Sequence, residues 1–328
     1  MYRIAITVIA LGLCAAVDAE ELFSKAPLFE IALPPGAPTG AASLREHAVA
    51  WHPVRRAYYL IADVVPLENP AHPNTYETEL YLWKSPDLRV WEFLGLAVPK
   101  GTDADAYDAH GVASPAGMAF WEGRLCVPFS ARRTPAYRER SIGLAWSGEN
   151  PEELPWTKTP VPVSDLPGED DDPALVCEPA GRRLHLYHRT TGPRGYEIVH
   201  TVSAAPRELS SWPTAKVVNE RPPGVRAQEL TGAAIVGGAF QIFVIEQDER
   251  VSGIRIAHLN AGAPEGPFVP RNPEHRYLTA PPPNVAYGGH ATPIVREEAF
   301  VGISWTVFQS GPRYGLRGYA IEQGGGPL

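Results

Sequence analysis

The 328-residue chain is 44% hydrophobic and 20% charged, an ordinary globular balance with enough apolar side chains for a sizeable core. Acidic residues outnumber basic ones 37 to 29, for a net charge of −8, and no Lys/Arg-rich run breaks this pattern, which argues against nucleic acid as a partner and leaves a neutral polyol such as a sugar open. The 30 Gly and 35 Pro speak against a helical protein and for many short strands joined by turns.

Residues 1–19 read as an export signal. Arg3 supplies the positive start, residues 4–16 form an apolar run short of the roughly 20 residues a bilayer span needs, and Val17-Asp18-Ala19 leaves small residues at the cleavage positions. Cleavage after Ala19 predicts a secreted or periplasmic protein without a membrane span. A lipid anchor on Cys14 is disfavoured by Leu13 before it. Removal of Cys14 leaves Cys126 and Cys177, both in apolar strand-like runs; two buried free thiols are the favoured reading over a pair.

Residues 20–45 are rich in Pro and Gly at their centre and read as an extended lead-in. At Glu46 a unit begins: Glu46-His47-Ala48-Val49-Ala50-Trp51 as a strand, a turn at Pro53 to Arg56, a second strand at Tyr58-Tyr59-Leu60-Ile61, a third at Leu80-Tyr81-Leu82-Trp83, a turn at Ser85-Pro86-Asp87-Leu88, and a fourth near Trp91-Glu92-Phe93. Asp87 is read as a turn former. The second copy opens at Tyr107-Asp108-Ala109-His110-Gly111-Val112 and turns at Glu122-Gly123. The third opens at Asp172-Pro173 and resumes at Leu184, twelve residues on, just as Tyr58 follows Glu46 by twelve. The fourth opens at Glu229-Leu230-Thr231 and turns at Gly237-Gly238; the last opens at Gly288-Gly289-His290 and turns at Glu297-Glu298.

The heads Glu46, His110, Asp172, Glu229 and His290 are 64, 62, 57 and 61 residues apart. Periods of this size with about four strands each are propeller blades. The predicted fold is all-β, a single five-bladed β-propeller of four-stranded blades over residues 46–328; a β-sandwich would not explain a polar residue recurring at the same point of each unit. The first strand of each blade lines the axis, so Glu46, His47, Asp108, His110, Asp172, Glu229 and His290 are expected to converge at one end of it. Crowded, buried carboxyls repel one another and split their pKa values, which leaves one protonated as an acid and another ionised as a base; glycosidic hydrolysis needs such a pair.

At these residues the chain resembles the five-bladed glycoside hydrolases related to families 43 and 117, which act on arabinose-, xylose- or anhydrogalactose-containing glycans. The echoes are Ser85-Pro86-Asp87-Leu88-Arg89-Val90-Trp91, the opening from Tyr107 to Pro115, Asp172-Pro173, Gly266-Pro267-Phe268 and Gly288-Gly289-His290. The resemblance implies that Glu229 is the general acid, that Asp172 orients it and tunes its pKa, and that His290 faces the sugar or a central metal ion. It also implies inversion of configuration. Two departures stand out: the usual first-blade Asp base is replaced by Glu46-His47, and the residues at the acid read Glu229-Leu230-Thr231. Glu46 or Asp108 would then activate the water.

The expected partner is a carbohydrate substrate, contacted by His47, His110, His290 and His188, for each of which a satisfied core histidine is the competing reading. Asp170 and Asp171 are expected in a solvated loop. No cofactor is required; a central divalent cation such as calcium is compatible with oxygen ligands and a His, with His290 the best metal candidate and the metal unassigned. Two rivals remain: a carbohydrate-binding propeller without catalysis, and a metal-dependent lyase or lactonase using His47, His110 and His290.

Overall fold

The computed structural model of the protein describes residues 22–24, 26–32, 41–66, 77–135, 139–179, 181–193, 195–248, 254–273, 276–278, 287–310 and 313–322. The expected signal, residues 1–19 with Cys14, lies outside them. Two short strands come first, β1 (Leu22–Phe23) and β2 (Phe29–Ile31). Blade 1 is β3 (Ala41–His52), β4 (Ala57–Pro66), β5 (Glu79–Ser85) and β6 (Glu92–Val98). Blade 2 has a broken inner strand, β7 (Val112–Ala113) and β8 (Ala119–Trp121), both paired with β9 (Arg124–Arg132), then β10 (Arg140–Trp146) and β11 (Thr157–Lys158).

Blade 3 is β12 (Asp171–Cys177), β13 (Leu184–Gly192), β14 (Gly195–Ser203) and β15 (Lys216–Asn219). Blade 4 is β16 (Val225–Val236), β17 (Ala239–Asp248), β18 (Ile254–Ala261) and β19 (Val269–Pro270). Blade 5 is β20 (Tyr287–Arg296), β21 (Ala299–Ser310) and β22 (Arg313–Glu322). Every pairing within a blade is antiparallel. β3 packs beside β8 and β20, β12 beside β9 and β16, and β16 beside β20, which closes a five-bladed propeller in chain order.

Closure comes from the N-terminal strands. β1 and β2 add to β22, with Phe29 opposite Gly318 and Ile31 opposite Leu316. The stretch expected as a lead-in therefore contains strand, and β3 begins at Ala41, ahead of the expected head Glu46. The physical reason is the outer edge of blade 5, whose backbone groups would otherwise lack partners. A Cβ on Gly318 would run into the Phe29 ring, so this close crossing depends on glycine.

The strand period of two explains why the strands read as nearly unbroken apolar runs. In β4, Tyr59 and Ile61 pack toward blade 2, while Tyr58, Leu60, Ala62 and Val64 pack toward blade 5; in β5, Leu80 and Leu82 go one way and Tyr81 and Trp83 the other. Five hydrophobic clusters are found among the described residues, one between each pair of adjacent blades. The Asp87 turn forms as expected, its Oδ1 accepting the Arg89 N–H at 2.9 Å. Cys126 and Cys177 are free thiols, the first buried and the second half-buried. Among the described residues no helix is long and apolar enough to cross a membrane.

If β2 holds the ring shut through Phe29, which is only 3% exposed, Phe29→Ala should lower the unfolding free energy by about 3–5 kcal/mol. Gly318→Val should also destabilise, since it blocks the same crossing from the other strand. Urea denaturation reads both; midpoints equal to wild type would show that the closure carries no stability.

Candidate active site

The five inner strands break their ladders at one level, and the polar residues sit at the breaks. Register slips between Leu44 and His47 in β3, between Asp171 and Ala174 in β12, between Leu230 and Gly232 in β16, and between Tyr287 and Ala291 in β20. Residues 114–118 interrupt blade 2 between β7 and β8. Such bulges re-aim side chains that a regular strand would send into the blade interfaces. Ser114 and Asp172 share a further feature: each precedes a proline and each has left-handed backbone, φ 56° and 52°. Non-glycine residues rarely adopt this conformation, and holding it costs about 1–3 kcal/mol. Ser114 is thus the blade 2 counterpart of Asp172.

Together these breaks wall an axial cavity of about 50 Å³, lined by Glu46, Ser114, Asp171, Asp172, Glu229 and His290, with Arg45, Asp63, Arg132 and Arg140 around them. A cavity of that size has room for water. A larger space of about 480 Å³ opens at the other end of the axis, walled by residues such as Ala50, Trp51, Ala116, Leu175, Ala234 and Pro293. Its walls are mainly apolar. The smaller cavity is where groups able to move protons converge, and chemistry outweighs size in choosing between them.

Glu46 is 5% exposed. Its Oε1 accepts from Arg45 Nη2 at 2.7 Å and lies 3.4 Å from His290 Nε2; its Oε2 is 3.4 Å from Ser114 Oγ. Burial pushes its pKa up, but the Arg45 guanidinium, His290 and a hydrogen bond from Asp63 outweigh that and hold it at about 2. Asp63, in β4 across from the bulge, accepts the Glu46 N–H on Oδ1 at 2.9 Å. Burial and the neighbouring Glu46 charge push its carboxyl well above the usual range.

On the other side stands a cluster around Arg189 of β13, which is 1% exposed. Its Nε donates to Asp172 Oδ2 at 2.9 Å and its Nη2 to Glu169 Oε1 at 3.1 Å and Asp171 Oδ2 at 2.5 Å. Asp171 also takes Arg140 and the Ser130 hydroxyl. Despite its burial, these two guanidiniums hold the Asp171 carboxyl far below its ordinary range. Asp172 goes the other way, pushed well above by burial and by the charge of Asp171, against the pull of Arg189. The expectation of a solvated loop for Asp170 and Asp171 is corrected: they are 0% and 2% exposed. Asp170 Oδ2 accepts from Ser164 Oγ and the Leu166 N–H, both at 2.9 Å, and Asp171 lies between two arginines that no local pattern reveals.

Of the residues singled out from sequence, Glu46, Asp172, Glu229 and His290 meet at the cavity. Asp108 does not line it: buried, it pairs with Lys158, whose Nζ also donates to the Pro99 carbonyl at 2.6 Å, and so ties the loop before β7 to β11. His110 is half-buried and anchored through its backbone N–H to the Arg132 carbonyl at 2.8 Å. His47 is fully buried behind Glu46, Nδ1 3.3 Å from the Arg45 carbonyl, and burial lowers its pKa to about 4, so it is neutral. His188 is likewise fully buried behind the cavity, with Nδ1 3.3 Å from the Arg189 carbonyl and 3.7 Å from Asp170. Asp63, Asp171, Arg189 and Ser114 were missed as site residues; acidic Asp63 inside the apolar run from Tyr58 to Val65 was the available signal.

The departure at Thr231 has a visible consequence. Its Oγ1 donates to the Ala291 carbonyl at 3.0 Å, accepts the Ala291 N–H at 2.7 Å and lies 3.5 Å from His290 Nδ1. It thereby pins blade 4 to blade 5 beside the histidine. Both ring nitrogens of His290 face protein groups, and among the described residues no group of three or more His, Cys, Asp or Glu is arranged to hold a metal ion.

Between pH 6.5 and about 4 the unfolded chain takes up a proton that folded His47 refuses, so the His47 contribution to stability falls as pH falls through that window. Relative to His47→Gln, which lacks this group, the wild type should lose about 3 kcal/mol between pH 7 and pH 4. Urea denaturation at several pH values measures the gap; a gap independent of pH would mean that His47 ionises normally.

No family model matches the chain, and no curated protein sequence matches it. Solved structures do. Zg3597, a family 117 glycoside hydrolase from the marine bacterium Zobellia galactanivorans, superposes with a TM-score of 0.63 at 13% identity, over 92% of this chain and 90% of that one. A thermostable family-43 glycoside hydrolase gives 0.63 at 15% identity, over 86% and 89%. The endo-arabinase from Bacteroides thetaiotaomicron gives 0.58 at 17% identity, over 89% and 98%. The chain shares the five-bladed propeller fold of these glycoside hydrolases along most of its length.

Proposed function

We propose that the protein is an exported glycoside hydrolase that uses carboxyl groups facing each other across the propeller axis. The observation that carries this is one buried cavity that brings together Glu46 of blade 1, Asp172 of blade 3 and Glu229 of blade 4, where Arg45 and His290 hold the Glu46 carboxyl low and burial with Asp171 pushes the Asp172 carboxyl up. An ionised base and a protonated acid group at neutral pH are what glycosidic cleavage requires. The shared fold with glycoside hydrolases of families 117 and 43 adds support, as does the apolar leader of residues 4–16 for export.

In this reading the substrate lies over the mouth of the cavity. Glu229 protonates the leaving glycosidic oxygen. Glu229 carries that proton before the step and gains the negative charge as the bond breaks, while Asp172, clamped by Arg189, lines the same cavity and orients it. Glu46 activates the attacking water through Oε2, since Arg45 and His290 occupy Oε1. Direct attack by that water inverts the anomeric configuration. Asp108, held by Lys158, is set aside as base. No step here needs a metal.

Purified protein should release reducing sugar from aryl-glycosides or short oligosaccharides. Glu229→Gln and Glu46→Gln should each lower kcat by about 10²–10⁴-fold, and proton NMR of the first product should show the inverted anomer. Saturable glycan binding without turnover on any substrate would instead identify a binding propeller. Activity that survives both substitutions would refute the assigned roles.

A further inference from the structure

We propose that Asp63 is a positioning residue for Glu46: its protonated carboxyl holds the Glu46 carboxylate by a hydrogen bond, and the two acids keep a single proton between them. This rests on the reading of Glu46 as the base. Asp63 belongs to the second strand of blade 1, not to an inner strand, and reaches the cavity because the β3 bulge opens opposite it. It is 1% exposed. One oxygen accepts the Glu46 N–H at 2.9 Å, and the carboxyl group is hydrogen-bonded to the Glu46 side chain as well.

Charge counting leads to the same arrangement. Facing the pair are Arg45 and His47 of β3, His290 of β20, Ser114 between β7 and β8, Arg132 of β9, Arg140 of β10, Asp171 and Asp172 of β12, and Glu229 of β16. Arg140 is taken by Asp171, and His47 is neutral. Arg45 at 2.7 Å and the His290 ring at 3.4 Å both meet Glu46 on Oε1, which favours charge on Glu46 and leaves the proton to Asp63. Like charges at hydrogen-bond distance do not both ionise. The directions of the two pKa shifts agree, Glu46 down and Asp63 up. An acid inside an apolar strand is costly unless it is paired; here the pairing fixes the Glu46 carboxylate with Oε2 toward Ser114 and the cavity.

The test is a ¹³C-carboxyl NMR titration of Asp- and Glu-labelled protein, which requires no substrate. Glu46 is assigned by the loss of its signal in Glu46→Gln. The wild type should show an Asp carboxyl titrating above the ordinary Asp range, with the Glu46 signal responding in the same step because the pair titrates as a unit. Asp63→Asn, which keeps a donor and an acceptor of the same shape, should abolish that Asp signal and leave Glu46 titrating in one step below the ordinary Glu range, held there by Arg45. A Glu46 signal in wild type that shows no second step, or an unchanged set of high-titrating Asp signals in Asp63→Asn, overturns the proposal. With a cleavable substrate in hand, Asp63→Asn should also lower kcat about tenfold or more at unchanged KM. Wild-type protein that passes the titration but cleaves no glycoside would sink the hydrolase reading while leaving the shared proton in place.

Discussion

The burial of Arg189 is the constraint on which the site depends. A guanidinium removed from water must be surrounded by acids, and this one gathers Glu169, Asp171 and Asp172 while lying over the ring of Tyr196 at 4.2 Å. Arg140 adds a second positive charge on Asp171. Three acids against two guanidiniums leave one negative charge in excess, and the buried cluster sheds it most readily by protonating Asp172. The left-handed backbone at Asp172, strained before Pro173, persists because Arg189 holds the carboxyl from the far side. Charge balance and backbone geometry thus meet at one residue.

The same strands serve packing along most of their length and gather polar side chains at one end. Away from the bulges, alternate side chains enter the two neighbouring interfaces, and the five clusters hold the blades at fixed angles. At the bulges the alternation is interrupted, and Glu46, Ser114, Asp172 and His290 turn toward the axis. Thr231, which stands at the blade 4 bulge, spans to Ala291 with both its donor and its acceptor, so the spacing between blades 4 and 5 is set beside the groups that need it. Rigidity in such a site comes from hydrogen bonds between blades, with apolar packing beneath them.

Proton states are arranged asymmetrically across the axis. On the blade 1 side, Arg45 and the Asp63 hydrogen bond hold the Glu46 carboxyl low; on the blade 3 side, burial and the charge of Asp171 push the Asp172 carboxyl up. Neither state could be assigned from residue type alone, since all four groups are carboxylic acids with similar ordinary pKa values. The apolar space at the opposite end of the axis has no such division. It is the interior of the same ring of strands, walled mainly by apolar side chains.

Much of the fold was legible in the chain. Five heads about 60 residues apart, strand-length apolar runs and Gly- or Pro-marked turns specify a propeller, because strand period and blade length are local properties. Glu46, Asp172, Glu229 and His290 could be placed at one end of the axis for the same reason: each stands at the same point of its repeat, on an inner strand. The exact inventory could not. Asp108 is taken by Lys158, fifty residues later; Ser114 holds the place that the repeat assigned to His110, because the blade 2 strand breaks after Ala113; and Asp171 is buried by arginines from two different strands, while Asp170 is held by Ser164 and the Leu166 N–H. Asp63 and Arg189 come from second strands, which the repeat does not direct to the axis. Sequence alone determined the ring and the heads of its strands, since these follow from short-range periodicity. Only the tertiary structure decided which charges meet, because ion pairing and shared protons depend on distances between blades that no local pattern encodes.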